Sequence, residues 1–195
     1  PAAAEAIAAE ITAGGGRAQA VAFDVTDAAA VGAALERILA EGVVQILVNG
    51  AGIHDDAVMP GMSREQWARV IDVSLNGFFN VTQPLLMPMI RSRWGRIVNI
   101  SSVSALAGNR GQTNYAAAKA GILGMTRDMA RDLGQYNIRV NGICPGCIST
   151  PMMDRGLGRS PDPQAAREEM RSAIPLRRLG EPREIANVVL FLASD

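Results

Sequence analysis

The chain has 195 residues, 48% hydrophobic and 19% charged, with 19 basic and 19 acidic side chains in balance. That length buries a core without disulfides or metals, the composition excludes disorder, and zero net charge speaks against a nucleic-acid binder. The absence of a long apolar run sets aside a membrane span, the acidic, Ala-rich opening PAAAEAIAAE does not read as a signal peptide, and two Cys and one His supply neither a disulfide framework nor a structural zinc site; a cytoplasmic protein is expected.

Taken in order, residues 1–13 read as the end of a helix stopped by Gly14, Gly15 and Gly16. Residues 20–23 are a short apolar run closing in Asp24-Val25-Thr26-Asp27, which predicts a buried strand followed by a helix cap. Val31, Ala34, Leu35, Ile38 and Leu39 give residues 28–41 a helical period. Residues 43–48 predict a second strand, ending in Asn49-Gly50-Ala51-Gly52. Ser63-Arg64-Glu65-Gln66 fits a capping box opening a long helix. Pro84 and Pro88 are expected to kink or end it, since an interior proline costs about 3 kcal/mol. Residues 96–101 form the third predicted strand, 112–135 a long Ala-rich helix and 138–144 the fourth strand. Residues 149–175 read as a long loop with short helical pieces. Glu181 opens a last helix to Ala193, with Pro182 in its first turn.

Helices alternate with strands that are continuous apolar runs. That pattern predicts an α/β protein with a parallel sheet covered on both faces. Nothing divides the chain, so residues 1–195 read as one domain. In such sheets ligands lie at the carboxyl ends of the strands. The four predicted endings, Asp24-Val25, Asn49 to Gly52, Ser101-Ser102 and Pro145-Gly146, are all small, polar or turn-forming. Any one of them is ordinary turn chemistry, but four on one edge make a cleft.

Tyr115 and Lys119 are spaced i, i+4, which places them on one helix face. A neighbouring cation favours the phenolate, so a lowered tyrosine pKa and proton transfer near neutral pH are expected. A surface Tyr beside a solvated Lys is the plainer reading. Against it, the other 18 cationic residues are all Arg, and a compact ammonium does work that a guanidinium cannot. Ser102 lies 13 residues before Tyr115 at the end of the preceding strand, where a hydroxyl could bond a carbonyl oxygen; Ser101 and Ser104 are rivals.

Asn-x-Ala-Gly at 49–52, Ser102 before Tyr-x-x-x-Lys at 115–119, and Cys144-Pro145-Gly146-Cys147-Ile148-Ser149-Thr150 together resemble the short-chain dehydrogenase/reductase family. The run 109–121 resembles its 3-oxoacyl-[acyl-carrier-protein] reductases, enzymes of fatty acid biosynthesis. The resemblance implies a Rossmann-like doubly wound sheet and NADP or NAD as cofactor, NADPH ahead. It implies Tyr115 as general acid/base, with Lys119 on the nicotinamide ribose and Ser102 on the carbonyl. It places Asp24 and Val25 at the adenine, Asn49, Ala51 and Gly52 along the adenosine ribose, and Pro145, Gly146, Ile148 and Thr150 around the nicotinamide. A small-molecule or acyl-carrier-bound substrate and a homo-oligomer, dimer or tetramer, are implied too. Small residues at 117, 120, 121 and 124 would allow close helix approach in such an oligomer.

Three departures stand out. Ser74 takes the place of an Asn that joins the family's catalytic set by holding a water in a proton relay to Lys, and Gly50 replaces a second Asn. No strand here is followed by a Gly-x-x-x-Gly-x-Gly turn for a pyrophosphate. The sheet is therefore expected to lack the family's first two strands and its last, with strand 20–23 poorly paired. These departures leave a cofactor-free binding or scaffold protein as the alternative. Cys144-Pro-Gly-Cys147 reads as a loop with two incidental thiols, His54 as a cleft-rim or surface residue, and Arg91, Arg93 and Arg96 as a solvated basic cluster.

Overall fold

The computed structural model describes residues 2–158 and 160–195. Three strands, β1 (Ile46–Asn49), β2 (Gly95–Ile100) and β3 (Ile138–Ile143), form one parallel sheet in that order. Around it lie α1 (Ala2–Ala13), α2 (Ala28–Glu41), α3 (Arg64–Ile71), α4 (Gly77–Ser92), α5 (Ser104–Ala107), α6 (Thr113–Leu133), α7 (Pro151–Leu157), α8 (Pro163–Ala173) and α9 (Pro182–Ala193). The α/β reading of the sequence holds.

Register explains the core. Leu47 stands beside Ile97, and Ile97 beside Val140, so these three side chains share one face of the sheet. They bury against Val31 and Leu35 of α2, Leu85 and Met89 of α4, and Leu133 of α6. Val98, one residue on and therefore on the opposite face, is equally buried; α9 packs against β2, and its end is held there by Arg96 to Asp195 at 2.7 Å and by Arg139 to the Ser194 carbonyl. The central strand β2 is thus covered on both faces, as its unbroken apolar run requires. In β1, Ile46 and Val48 remain 47% and 44% exposed beside an unpaired edge.

Two expectations are corrected. Residues 20–23 form no strand; Phe23 packs against the core, but the segment makes no ladder bonds. A strand exists only through pairing, and among the described residues no strand lies beside this segment. Of the two outcomes expected at Pro84 and Pro88, a kink or an end, the end does not occur: the helix passes both and runs on to Ser92. Leu85 and Met89, one turn apart, are both fully buried. Burying each is worth about 1.5–3 kcal/mol, so together they offset much of the roughly 6 kcal/mol that two interior prolines cost, and only if the helix continues. Leu85→Ala should therefore lose about 2–5 kcal/mol of stability, read from the urea midpoint; an unchanged midpoint would mean that this turn is not held by its core contacts.

The segment expected as loop with short helical pieces holds α7 and the 11-residue α8. Both begin with a polar cap and a proline: Thr150 before Pro151, Asp162 before Pro163. Ser63 and Gln66 form the predicted capping box at α3. Between α3 and α4 the helix widens into a π-helical turn at Asp72–Asn76, which centres on Ser74.

Candidate active site

At the carboxyl ends of β1 and β2 the sheet turns polar. Asn49 stands beside Asn99, and its Nδ2 donates to Asn99 Oδ1 and to Thr82 Oγ1, both at 3.0 Å. Asn99 Nδ2 donates in turn to Thr126 Oγ1 at 2.9 Å. This ladder stiffens the strand ends. It takes both Nδ2 hydrogens of Asn49, the residue expected along a ribose.

Lys119 of α6 is 3% exposed, and its Nζ donates to the Ile100 carbonyl at 2.8 Å. Ser101 Oγ donates to the Lys119 carbonyl at 2.8 Å and ties helix to strand end. A Cβ placed on Gly52 would stand 3.2 Å from Lys119 Nζ and 3.7 Å from Ser74 Oγ, so only glycine leaves this spot clear. Ser74 is 1% exposed, and its Oγ has no hydrogen-bond partner. Gly52, Ser74 and Lys119, from three separate elements, therefore enclose one small polar space. Burial holds the Lys119 ammonium down to about 8.

Tyr115 sits one turn before Lys119, whose Nζ is 5.6 Å from the centre of its ring. The expected lowering of the phenol pKa is not found. Burial raises it, more than the Ser102 hydroxyl lowers it, and the carboxylate of Asp56 raises it further. The reason is geometric: Lys119 Nζ is bonded to Ile100 O, while the phenol is desolvated. Ser102 Oγ accepts from Ser104 N at 3.1 Å, which leaves its own proton free to donate. Ser101 is the buried, structural member of the pair, and Ser104 bonds Gln112 at 3.1 Å.

Of the two places expected for His54, the cleft rim and the surface, the structure puts it at the rim. Its ring meets Tyr115 edge to face at 6.4 Å between centres, and its Nδ1 lies 3.4 Å from Asp56 Oδ1. It walls the phenol instead of standing on a free surface. The only signal for it was its place two residues after Gly52.

The remaining candidates lie on two sides of this centre. Val103 N donates to Pro145 O at 3.1 Å, which sets the loop after β3 beside Ser102. Gly146 is exposed with open space where a side chain would be. Ile148 bridges to Gly180, and Thr150 Oγ1 caps α7 by accepting from Met153 N at 3.3 Å. Cys144 and Cys147 in this loop are both free thiols. On the other side, Asp24 and Val73 border a groove of roughly 660 Å³ with Ile53, Asp55 and Asp72. Asp24 is exposed, and the Thr26 backbone N–H and hydroxyl hold its carboxyl below the ordinary range. Val25 packs where a side chain on Gly77 would collide with it at 2.6 Å, and its carbonyl accepts from Asn80 at 2.9 Å. Ala51 is exposed.

The chain is similar to known proteins throughout. A family model described as enoyl-(acyl carrier protein) reductase matches residues 1–195. A 3-oxoacyl-[acyl-carrier-protein] reductase FabG of Thermotoga maritima is 45% identical over 174 residues, 89% of this chain and 68% of that protein. An acetoacetyl-CoA reductase of an Acinetobacter strain is 45% identical over 171 residues, 86% of this chain and 65% of its own length. The chain thus spans about two thirds of the length of these relatives. A crystal structure of NAD+-bound xylitol dehydrogenase superposes with a TM-score of 0.93 at 31% identity, covering 99% of this chain and 79% of that one.

Proposed function

The chain belongs to the short-chain dehydrogenase/reductase family and is an oxidoreductase, and from that premise we propose that it interconverts a carbonyl and the corresponding alcohol at Tyr115, with NADP or NAD as cofactor and a 3-oxoacyl thioester as substrate. The observation that carries this reading is the convergence of Tyr115, Ser102 and buried Lys119 at the strand ends. The names of the relatives, a 3-oxoacyl-carrier reductase and an acetoacetyl-CoA reductase, support the substrate class. A scaffold protein would have no use for a lysine kept charged in so buried a place.

The residues present fit the nicotinamide half of a dinucleotide. Lys119 Nζ has one partner, Ile100 O, so two of its three N–H groups remain for ribose hydroxyls. Gly52 keeps the approach to it bare, and the loop from Pro145 to Thr150 would hold the ring. Asp24 and Val25, with the groove beside Val73, would take the adenine. When bound, the nicotinamide supplies the hydride for reduction.

The chain's own residues handle the proton. Ser102 Oγ donates to the carbonyl oxygen and stabilises the charge that develops there. Tyr115 holds its proton because burial raises its pKa, and gives it to the same oxygen as that oxygen becomes basic. The Lys119 ammonium steadies the phenolate left behind. His54 and the loop after β1 shield the phenol from water on one side. The proposal extends to assembly: Phe79 and Met87 of α4 are exposed apolar side chains of the kind a second copy of the chain would cover.

The test is consumption of NADPH and NADH by the natural full-length protein with acetoacetyl-CoA and a 3-oxoacyl carrier substrate. Turnover with either is expected; none with any oxo compound, while the cofactor still quenches Trp67 or Trp94 fluorescence, would overturn the assignment. Ser74→Asn should hold or raise kcat, because an amide at this position reaches the space that the unpartnered Ser74 hydroxyl shares with Lys119. A several-fold fall in kcat at unchanged Tm would show that Ser74 serves another relay.

A further inference from the structure

Asn114, immediately before Tyr115, is fully buried. Every hydrogen-bonding group of its amide is engaged with backbone. Nδ2 donates to the Asp55 carbonyl at 3.0 Å and to the Gln66 carbonyl at 3.1 Å, and Oδ1 accepts from Tyr115 N at 2.8 Å. Asp55 belongs to the loop after β1, Gln66 to α3, and Tyr115 to the first turn of α6. One side chain therefore holds three segments together at the point from which the phenol projects.

The surroundings reinforce the same joint. The Asp55 carboxylate accepts from Gln66 Nε2 at 3.1 Å and from Arg69 at 2.6 Å. Ala57 N donates to Gly111 O at 2.9 Å, and Gln112 Nε2 to Asp56 Oδ2 at 3.3 Å. The clamped loop carries His54, the ring that walls Tyr115. The first N–H groups of a helix lack intrahelical partners, and here the group that satisfies one of them also straps the helix to the wall of the cleft. A buried amide left half-partnered is costly, so the joint has one well-defined seat.

We propose that Asn114 is a positioning residue for Tyr115, fixing the phenol against the loop at 53–57 and so setting its distance from Ser102 and from the reacting oxygen. This rests on the reading of Tyr115 as the proton donor. Misplacing a reacting group by about 1 Å costs on the order of 10²-fold in rate, so Asn114→Ala and Asn114→Asp should lower kcat by about that factor with a smaller change in KM. Asn114→Asp keeps the volume but sets a carboxylate oxygen against two carbonyls.

The chain has two tyrosines, so a Tyr136→Phe background leaves Tyr115 as the sole source of the tyrosinate absorbance. In that background the phenol should titrate above its ordinary value, because it is buried. Asn114→Ala should bring it back toward that value as the loop lifts and water enters, whereas in Asn114→Asp the added carboxylate opposes the fall, as Asp56 does. Gln66→Ala, which removes one of the two bonds to the Asp55 carboxylate and half of a helix cap while leaving Asn114 in place, should move it the same way by less. Leu133→Ala, a core change far from the joint, should lower Tm and leave the titration where it was. An unmoved titration in Asn114→Ala, or the same shift in Leu133→Ala, overturns the proposal; if Asn114→Ala does not fold, an unmoved titration in Gln66→Ala does so. The titration needs no substrate, so a parent protein that lacks activity but shows these shifts refutes the proposed reaction and leaves the joint standing.

Discussion

Tyr115→Phe should reduce turnover by about 10²–10⁴-fold, the usual worth of a general acid, while cofactor affinity and Tm stay near those of the parent. The substitution removes one proton donor and no carbon, so the ring still meets His54 edge to face and still lies beside Lys119 Nζ. Ser102 would remain able to bond the carbonyl, which accounts for residual activity. Steady-state kinetics with acetoacetyl-CoA, set beside cofactor quenching of Trp67 and Trp94 fluorescence, separate chemistry from binding. Parent-like turnover would remove Tyr115 from the mechanism. The same burial has a pH consequence. Because desolvation raises the phenol pKa in the unliganded chain, Tyr115 stays protonated to higher pH than a free phenol, and tyrosinate absorbance should develop correspondingly late.

Lys119→Arg should be nearly as damaging, for a different reason. The ammonium sits in a space bounded by Ile100 O, Gly52 and Ser74, with no room for a planar guanidinium. Overpacking of this kind costs about 1–3 kcal/mol, and a guanidinium cannot shed its charge to escape the cost. Turnover, cofactor affinity and Tm should fall together. Lys119→Met isolates the charge. In the folded chain burial depresses this lysine from 10.5 to about 8. Between those values the unfolded chain binds the proton more tightly, so stability rises with pH across that window. Lys119→Met should remove this rise. Parallel urea titrations across the window would check it; identical slopes for parent and variant would mean that Lys119 is not desolvated.

The candidate catalytic pair, Tyr115 and Lys119, was legible because scarcity and spacing mark it. One Lys among 18 Arg, four residues after one of two Tyr, is a local pattern on a helix, and helical periodicity alone puts both side chains on one face. The polar endings of β1, β2 and β3 were legible for the same local reason, as were the capping box at Ser63 and the helices that begin at Ala28 and Pro182. The signals at the start of α8 were equally local, Asp162 then Pro163, and were lost only because the surrounding polarity reads as loop.

Pairing and surroundings were not legible. Residues 20–23 have a strand's composition but no strand, because a ladder is a relation between segments and its partner is not written in the segment itself. Pro84 and Pro88 read as breakers, since the burial of Leu85 and Met89 that offsets them comes from α2 and the sheet. Nothing in the sequence singles out Asn114; only the folded chain brings the Asp55 and Gln66 carbonyls to its amide. The sign of the Tyr115 shift went wrong for the same cause. The sequence determined which groups share a helix face, a property of three or four consecutive residues. How much water each group loses, and which distant carbonyl its proton meets, was decided by tertiary packing, because desolvation and hydrogen-bond partnership depend on atoms far away in the chain.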